Sequence, residues 1–386
     1  MGILLATLTP IPGAAERSAL TPVLCLVCGE VGAVDVLNNL FLFLPLGFAL
    51  RLAGMRTVAA VALAALTTIS VEAAQYWIVP GRDASLSDVL TNTTGGAAGV
   101  LLANALPSLL RPSGRTLTLL LSLAGAIPTG ILAASAWLLR PAPPHSSWFG
   151  QWAPDLGQYE RFRGRILTAS LGGRFMPGGA LRASDKLPLE LRATFVSGPL
   201  PPDLAPIVSV FDQHQRKVIL LGQNDRDLHF EARTRGENYR FRPLALALAG
   251  ALPAEPGDTL NAMGRYDGRA LHLEVSGTAA TRERSLNISA ALGWALIAPW
   301  EGPLGSQTRS LTALWLLLLW TPLGFYFRRA VQSQKRHALL AGIAGGAMLI
   351  TTANTLLAGF PLNHWSEWVG AALGVSVGYG VNRALD

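Results

Sequence analysis

The chain has 386 residues, of which 50% are hydrophobic and only 14% are charged, whereas a soluble protein carries about a quarter charged residues. Of the 55 charged residues, 35 lie between positions 140 and 305, which indicates a water-facing module between lipid-embedded flanks. The net charge of +7 comes largely from arginines beside the ends of apolar segments, as the positive-inside rule describes. Because no basic stripe is interleaved with aromatic residues, a nucleic-acid partner is excluded.

Seven apolar runs have the length at which a helix crosses a bilayer, about 17 to 25 residues. A further run at 2–12 is too short to span and is expected to be part of a first helix. The chain thus divides into a membrane domain at 1–139, an inserted domain at 140–306 and a second membrane domain at 307–386. The expected fold is a multi-pass α-helical membrane protein of seven to eight helices. The runs are 36–52, 57–79, 89–110, 116–139, 310–327, 338–359 and 367–385.

Arginines between the runs set the expected orientation of the helices. Loops containing Arg51, Arg111 and Arg328 can all be cytoplasmic if every run spans the membrane. The inserted domain then lies outside the cytoplasm, and the C-terminus lies inside. Aromatic residues near the predicted outer boundaries agree with this orientation. They are Tyr76, Trp77, Trp137, Trp365 and Trp368.

Within the inserted domain the hydrophobic pattern changes to short, roughly alternating runs. Such runs, separated by Gly, Pro, Asp and Asn, are typical of β-strands joined by turns. The spacing predicts an extracytoplasmic all-β domain, either an antiparallel sandwich or a jelly roll. The predicted strands are 187–196, 207–211, 217–222, 228–233 and 271–276.

The two membrane domains share a weak repeat. The motif Pro-Leu-Gly-Phe at 45–48 recurs at 322–325, and a small-residue patch at 95–99 has a counterpart at 370–374, which aligns Gly95 with Gly370. Small residues allow close helix packing. We interpret the repeat as a duplication whose second copy kept the packing and lost the chemistry. The alternative is chance similarity between two Leu- and Gly-rich segments.

The first membrane domain carries the only unusual polar set. A charge at membrane depth costs about 2.5–3.5 kcal/mol and usually pairs or faces a cavity. Glu72 lies two turns inside an apolar helix and has no capping role, and Arg82 is the expected partner of Glu72 or Asp88. If three consecutive helices pack together, the set meets in the outer third of the bilayer. Its members are Asp35, Asn39, Glu72, Gln75, Arg82, Asp88 and Asn92.

Structural roles compete with functional ones at these positions. Ser85 and Asp88 form a pattern typical of a helix N-cap, and Asp35 suits a membrane interface. Asn92 is also suited to bonding a neighbouring helix. Glu72 and Arg82 can form a buried pair of purely structural value.

The type and order of these polar residues resemble those of the VanZ-like family of bacterial membrane proteins. The resemblance covers about residues 3–110. The resemblance implies a location in the bacterial inner membrane and a role in the cell envelope. The family's founding member is linked to low-level glycopeptide resistance, and no established reaction is implied. The positions that match the family's polar residues are Glu72, Gln75, Arg82, Asp88 and Asn92.

The inserted domain resembles a laminin-G or concanavalin-A-like jelly roll. The resemblance rests on the strand at 207–212, the strand at 228–231 and the Tyr-Asp-Gly turn at 266–268 with the alternating strand after it. It implies glycan or protein binding on a concave sheet face, sometimes with calcium. Asp212, Asp225 and Asp227 offer oxygen ligands, with turn-forming roles as the alternative. No pair of glutamates at glycosidase spacing is found.

Three functions follow from these observations. The first is an envelope protein whose polar cluster binds a lipid-linked or amphiphilic molecule while the outer domain binds glycan or protein. The second is an intramembrane hydrolase or transferase on a polyprenyl or glycerolipid substrate, with Glu72 as the catalytic acid or base. The third is a transporter, which the shared orientation of both repeats disfavours. Phosphate-loop, serine-hydrolase and zinc-protease motifs are missing from the sequence, and no cofactor is expected.

Overall fold

The computed structural model describes residues 7–8, 31–79, 84–144, 146–155, 159–177, 179–181, 188–277, 281–300, 302–331 and 336–384. The chain divides into two compact units. The first consists of Met1–Leu120, Tyr239–Arg242 and Ile297–Pro299, and the second of Leu121–Asn238, Pro243–Leu296 and Trp300–Asp386.

Among the described residues, seven long helices lie where the apolar runs predict them. Six of them, α1 to α6, contain stretches long and apolar enough to cross a membrane, as judged over the described residues. Of the short run at 2–12, only Thr7 and Leu8 are described, and both are helical. The helices are α1 (Gly32–Leu52), α2 (Thr57–Trp77), α3 (Leu86–Leu110), α4 (Gly114–Leu138), α5 (Thr308–Ala330), α6 (Arg336–Leu357) and α7 (Trp365–Ala384).

Helices α1 and α3 pack backbone against backbone in the first unit. A Cβ atom added to Gly95 would lie 2.2 Å from the carbonyl oxygen of Leu40, and one added to Gly99 would lie 2.0 Å from that of Leu44. Only glycine leaves room for so close an approach. The patch of small residues therefore has the packing role that the sequence predicts.

Helices α5 and α7 pack in the same way in the second unit. A Cβ atom on Gly374 would lie 2.4 Å from the carbonyl oxygen of Leu317, and one on Gly378 would lie 1.9 Å from that of Thr321. The glycine of each Pro-Leu-Gly-Phe motif makes a third contact of this kind. The matching contacts are Gly47 with Gly96 and Gly324 with Val375.

These contacts correct the register of the repeat by one helical turn. Gly95 corresponds to Gly374, because each meets the equivalent leucine of its partner helix, and Gly370 instead meets Ala313 one turn earlier. Small residues recur every four positions on α7, so the sequence aligns almost equally well in either register.

The described residues of the inserted region form two six-stranded antiparallel sheets, ordered β4-β1-β6-β7-β8-β9 and β12-β11-β10-β5-β2-β3. All five predicted strands are confirmed, as β5, β6, β7, β8 and β11. The strands are β1 (Trp148–Trp152), β2 (Arg165–Leu171), β3 (Arg174–Phe175), β4 (Gly179–Leu181), β5 (Leu189–Val196), β6 (Ala205–Asp212), β7 (Lys217–Asn224), β8 (Asp227–Ala232), β9 (Leu244–Leu248), β10 (Thr259–Tyr266), β11 (Ala270–Ser276) and β12 (Arg282–Asn287).

The core of this region lies between the two sheets. Alternate residues of β5 are buried, as expected for a strand with one solvated face. Gly264 on β10 faces the ring of Phe230 on β8, and a Cβ atom there would lie 2.0 Å from that ring. The expected Tyr-Asp-Gly turn joins β10 to β11, with Gly268 at a φ of 86°.

Hydrogen bonds tie the sheets to the membrane helices of the second unit. The Tyr266 hydroxyl donates to the carbonyl oxygen of Leu139, just beyond α4, at 3.2 Å. After β12, a 3-10 helix at Ala290–Leu296 carries Trp294, whose Nε1 donates to the Thr312 hydroxyl of α5 at 3.0 Å. The β region is therefore anchored both where the chain leaves α4 and where it enters α5.

Candidate functional site

A polar cluster joins α1, α2 and α3. Asn39 Nδ2 donates a hydrogen bond of 2.7 Å to Asp88 Oδ1. The backbone N–H of Ser85 donates to Glu72 Oε2 at 2.8 Å, and the Ser85 hydroxyl accepts from the Asp88 backbone N–H at 3.4 Å. Because Ser85 is the N-cap of α3, both the start of this helix and its first acidic residue are held by neighbouring helices.

Two amide side chains extend the cluster, Asn92 one turn further along α3 and Gln75 on α2. Asn92 Nδ2 donates to the Thr68 hydroxyl at 3.0 Å, and Gln75 Nε2 donates to the carbonyl oxygen of Thr7 at 2.8 Å. Gln75 Oε1 and Asn92 Oδ1 are buried and accept no hydrogen bond from any described residue. A buried acceptor without a donor costs about 1–3 kcal/mol, so these two oxygens are poised for a donor.

The structure brings most of the predicted residues together. Glu72 is 8% exposed and shares α2 with Gln75. Asn39 lies on α1, and Asp88 and Asn92 lie on α3. Asp35 is exposed in the first turn of α1. Arg82 lies outside the described residues, so its pairing with Glu72 or Asp88 stays a prediction. The members that the structure joins by hydrogen bonds are Asn39, Glu72, Gln75, Asp88 and Asn92.

Two contributors were not among the predicted site residues. Ser85 was recognised only as part of a helix cap, and that cap is confirmed, but its N–H also holds Glu72. Thr68 precedes Glu72 by one helical turn, so it lies on the same face of α2. That spacing is the signal in the sequence that identifies Thr68.

A second buried carboxylate lies at the start of α7. Glu367 is 7% exposed; its Oε1 accepts from the Ser289 hydroxyl at 2.9 Å, and its Oε2 accepts from Asn363 Nδ2. The Thr355 hydroxyl on α6 accepts from Asn363 Nδ2 at 3.2 Å and from the Ala290 backbone N–H at 3.1 Å. These hydrogen bonds join the segment that follows β12 to Glu367 on α7 and to Thr355 on α6.

Glu367 occupies the position in α7 that Asp88 occupies in α3. The correspondence follows from the glycine contacts, because Gly374 lies as far beyond Glu367 as Gly95 lies beyond Asp88. The second copy, interpreted above as having lost the chemistry of the first, therefore keeps a carboxylate at this position. A lone acid in the first turn of an apolar helix, with Asn363 one turn earlier, is the signal that identifies the group.

The outward face of the second sheet carries a cleft of about 420 Å³. Its floor crosses neighbouring strands, where Thr194 donates a hydrogen bond of 2.7 Å to Asn261 Oδ1. Phe175, which is 66% exposed, lines the cleft together with hydroxyl and charged side chains. Other lining residues are Thr168, Ser170, Arg192, Glu274 and Ser276.

The candidate calcium ligands do not meet at one site. Asp212 ends β6 while Asp225 and Asp227 follow β7, so the eight-residue β7 separates them by about 25 Å at about 3.4 Å per residue. No group of three or more acidic, histidine or cysteine side chains suited to a metal occurs among the described residues. Asp227 Oδ1 instead accepts from the Gly250 backbone N–H at 2.7 Å.

Asp212 organises the β6–β7 turn. Its Oδ1 accepts from the backbone N–H groups of His214 and Arg216, each at 2.9 Å, and its Oδ2 accepts from the Arg216 guanidinium at 2.6–2.7 Å. Burial works against ionisation of this carboxyl, but these hydrogen bonds hold its pKa below the ordinary value. Of the two roles considered for Asp212, calcium ligand and turn-forming residue, these contacts support the second.

Apolar spanning helices with a polar cluster between them define a multi-pass membrane protein carrying a separate all-β region. Residues 5–109 match the family model described as VanZ/LLP1, so this part of the chain is similar to that family. The matched segment contains every described member of the polar cluster. No curated protein and no solved structure matches the chain significantly.

Proposed function

We propose that the cluster of Asn39, Glu72, Gln75, Asp88 and Asn92 binds the polar headgroup of a lipid-linked or amphiphilic molecule of the bacterial cell envelope. The observation that carries the proposal is the pair of buried amide oxygens, Gln75 Oε1 and Asn92 Oδ1, that lack a donor among the described residues. A hydroxyl-rich or amide-bearing headgroup supplies such donors.

The chemistry of the cluster favours a ligand that is amphiphilic. Its polar atoms lie on helices whose outward surfaces are apolar, so a ligand must bring both hydrogen-bond donors and a lipid-compatible part. Glu72 and Asp88 add acceptors that suit a cationic or hydroxyl group. We place the cluster at the outer side of the inner membrane.

Thermal unfolding of the detergent-purified chain tests this proposal. The probe is a polyprenyl-diphosphate-linked disaccharide peptide, and the free polyprenol is its control. We expect the precursor to raise the melting temperature and the free polyprenol to leave it unchanged. Asn92→Leu removes one vacant acceptor and should abolish the shift, while Thr94→Val, on the exposed side of α3, should keep it. Equal melting curves with and without precursor would count against the proposal.

We further propose that the β region is a concanavalin-A or laminin-G-like sandwich that binds a glycan in the cleft of its second sheet. An exposed aromatic ring beside hydroxyl, amide and guanidinium groups supports this ligand class, because a sugar offers an apolar face and many hydroxyls. On a glycan array, Phe175→Ala should remove binding and Phe162→Leu, buried behind the sheet, should not. Binding that survives Phe175→Ala would exclude this cleft.

Catalysis on a polyprenyl or glycerolipid substrate is the alternative for the membrane cluster. Glu72 favours it, since one carboxylate oxygen is oriented by the Ser85 N–H and a positioned carboxylate can act as general acid or base. Glu72→Gln keeps the size of the side chain and removes that role. Altered pools of lipid-linked glycan in cells carrying Glu72→Gln would favour catalysis, and unchanged pools would remove it.

A further inference from the structure

A cleft of about 510 Å³ lies within the second unit, where α4 and α6 end beside the β10–β11 turn. Three arginines line it, contributed by three separate segments of the chain, together with the carboxylate of Asp267. The lining also includes exposed Leu357 at the end of α6. The arginines are Arg140, Arg235 and Arg269.

Arg140 is fixed at the back of the cleft. Its Nη2 donates to the carbonyl oxygen of Leu357 at 2.9 Å, and its own carbonyl oxygen accepts from the Arg235 backbone N–H at 2.9 Å. Arg140 Nε is buried and has no hydrogen-bond partner among the described residues. A guanidinium held in place in this way, in a cleft lined by further arginines, is a preformed position for an anion.

The other two arginines, Arg235 and Arg269, come from two further segments of the chain. Arg235 lies over the ring of Trp137, with its Cζ 5.4 Å from the ring centre. Arg269 is exposed. Over the described part of the chain, neither guanidinium forms an ion pair with a carboxylate. Arginine forks of this kind match the oxygens of a phosphate group.

Asp267 does not cancel this positive charge at close range. Its Oδ1 accepts from the backbone N–H groups of Arg269 and Ala270, each at 2.8 Å, and its Oδ2 lies 3.6 Å from His272 Nε2. The carboxylate is therefore committed to the β10–β11 turn. Three guanidinium groups against one carboxylate leave the cleft with a net positive charge.

The position of the cleft identifies the source of the anion. α4 and α6 both end here, so the cleft lies at the level where spanning helices leave the hydrocarbon. Leu357 is 79% exposed at its rim, and Trp137 is 43% exposed beneath Arg235; an aromatic ring at this depth is typical of the membrane interface. A ligand that brings an acyl chain with its phosphate contacts both.

From this geometry we infer that the cleft of Arg140, Arg235 and Arg269 binds the phosphate of a lipid headgroup in the leaflet on the β-region side. The site is separate from the polar cluster of α1 to α3 and does not rest on its function. A bound phosphodiester accepts hydrogen bonds from the three guanidinium groups, while its acyl chains pass beside Leu357 into the bilayer.

The test uses the full chain in a maltoside detergent, which carries no phosphate. Dioctanoyl phosphatidylglycerol is titrated against it, with dioctanoylglycerol as the probe lacking phosphate and glycerol 3-phosphate as the probe lacking acyl chains. We expect phosphatidylglycerol to bind and dioctanoylglycerol not to bind. Weaker binding of glycerol 3-phosphate assigns the site to lipids, and equal binding assigns it to soluble phosphate esters.

The variants locate the binding. The double variant Arg235→Gln/Arg269→Gln should weaken binding by about tenfold or more, since each charge-assisted hydrogen bond is stronger than a neutral one. Arg174→Gln, an equally exposed arginine on β3, should bind as the parent does. Should the double variant fail to fold, Arg269→Gln alone decides, because this exposed side chain makes no hydrogen bond within the described ranges. Parent-like binding by these variants, or binding of dioctanoylglycerol, overturns the inference.

Discussion

Asn39 on α1 and Asp88 on α3 are joined by a hydrogen bond of 2.7 Å between Nδ2 and Oδ1. The bond lies near the start of α3, where Ser85 caps the helix and also donates to Glu72. A negative charge in the first turn suits the positive end of the helix dipole. Asn39 therefore connects α1 to a carboxylate that the dipole of α3 already stabilises.

Removing the amide of Asn39 should destabilise the protein. Asn39→Leu removes the Nδ2 donor to Asp88 Oδ1, which we expect to cost about 1–3 kcal/mol and to lower the melting temperature in detergent. The control is Asn39→Leu combined with Asp88→Asn, which replaces the carboxylate that lost the Asn39 donor with a neutral amide and should recover part of the loss. A melting temperature unchanged by Asn39→Leu would show that the bond contributes nothing to stability.

Backbone contacts between helices predict which glycines tolerate a methyl group. Gly95→Ala places a Cβ atom 2.2 Å from the Leu40 carbonyl oxygen, so α1 and α3 must separate at a cost of about 1–3 kcal/mol or more. Gly374→Ala should have a similar effect in the second unit. Gly130→Ala is the matched control, because no atom lies within 4 Å of its added Cβ and alanine favours the helix.

Folded yield by size-exclusion chromatography after heating measures these effects. We expect a clear loss for Gly95→Ala and for Gly374→Ala, and none for Gly130→Ala. Equal tolerance at all three positions would contradict close packing of these helix pairs.

The membrane helices could be predicted from the sequence because length and hydrophobicity decide whether a segment spans. The convergence of Glu72, Asp88 and Asn92 was also predictable, since a polar group inside apolar helices needs a partner. The bond between Glu72 and Ser85 was not predictable, because it joins a side chain to a backbone N–H freed at the start of a helix. Loop geometry decides such a bond, and residue type does not.

The five predicted strands are confirmed, but other strands were missed because their own sequence patterns are weak. Lys217–Asn224 is apolar enough to be predicted as a strand, whereas β12 (Arg282–Asn287) consists mostly of charged and polar residues and lies at a sheet edge. Short strands such as Arg174–Phe175 depend on pairing with a neighbour rather than on their own pattern. The register of the repeat between Gly95 and Gly374 was missed because glycines spaced four apart allow a slip of one turn.

Asp212 should prove structural and independent of calcium. Asp212→Ala removes the acceptor of two backbone N–H groups and the partner of Arg216, which we expect to lower stability by about 1–3 kcal/mol. The measurement is thermal unfolding with calcium and with a chelator. For the parent and for Asp212→Ala alike, the melting temperature should not change between calcium and chelator. Asp227→Asn is a control at the other end of β7. A calcium-dependent shift that Asp212→Ala removes would restore this residue as a ligand.

His229 predicts a dependence of β-region stability on pH. It lies in β8 between Gly222 of β7 and Ala247 of β9 and is 5% exposed. Burial lowers its pKa below the ordinary value of 6.5, against the opposing charges of Glu231 and Asp227. The unfolded chain therefore binds more protons than the folded chain between the lowered pKa and 6.5. Stability should fall as the pH drops below about 6.5 and level off once it lies below the folded-state pKa.

Amide hydrogen exchange of peptides from β7 and β8, measured on the full chain, reports this loss as faster local opening at lower pH, after correction for the intrinsic exchange rate. His229→Gln has no imidazole to protonate and should flatten the profile between pH 7 and pH 5. His214→Gln, at an exposed position in the β6–β7 turn, is the matched control and should keep the slope of the parent. If His229→Gln retains the full slope, the sensitivity belongs to another group, because a neutral amide at this position can no longer couple folding to proton uptake.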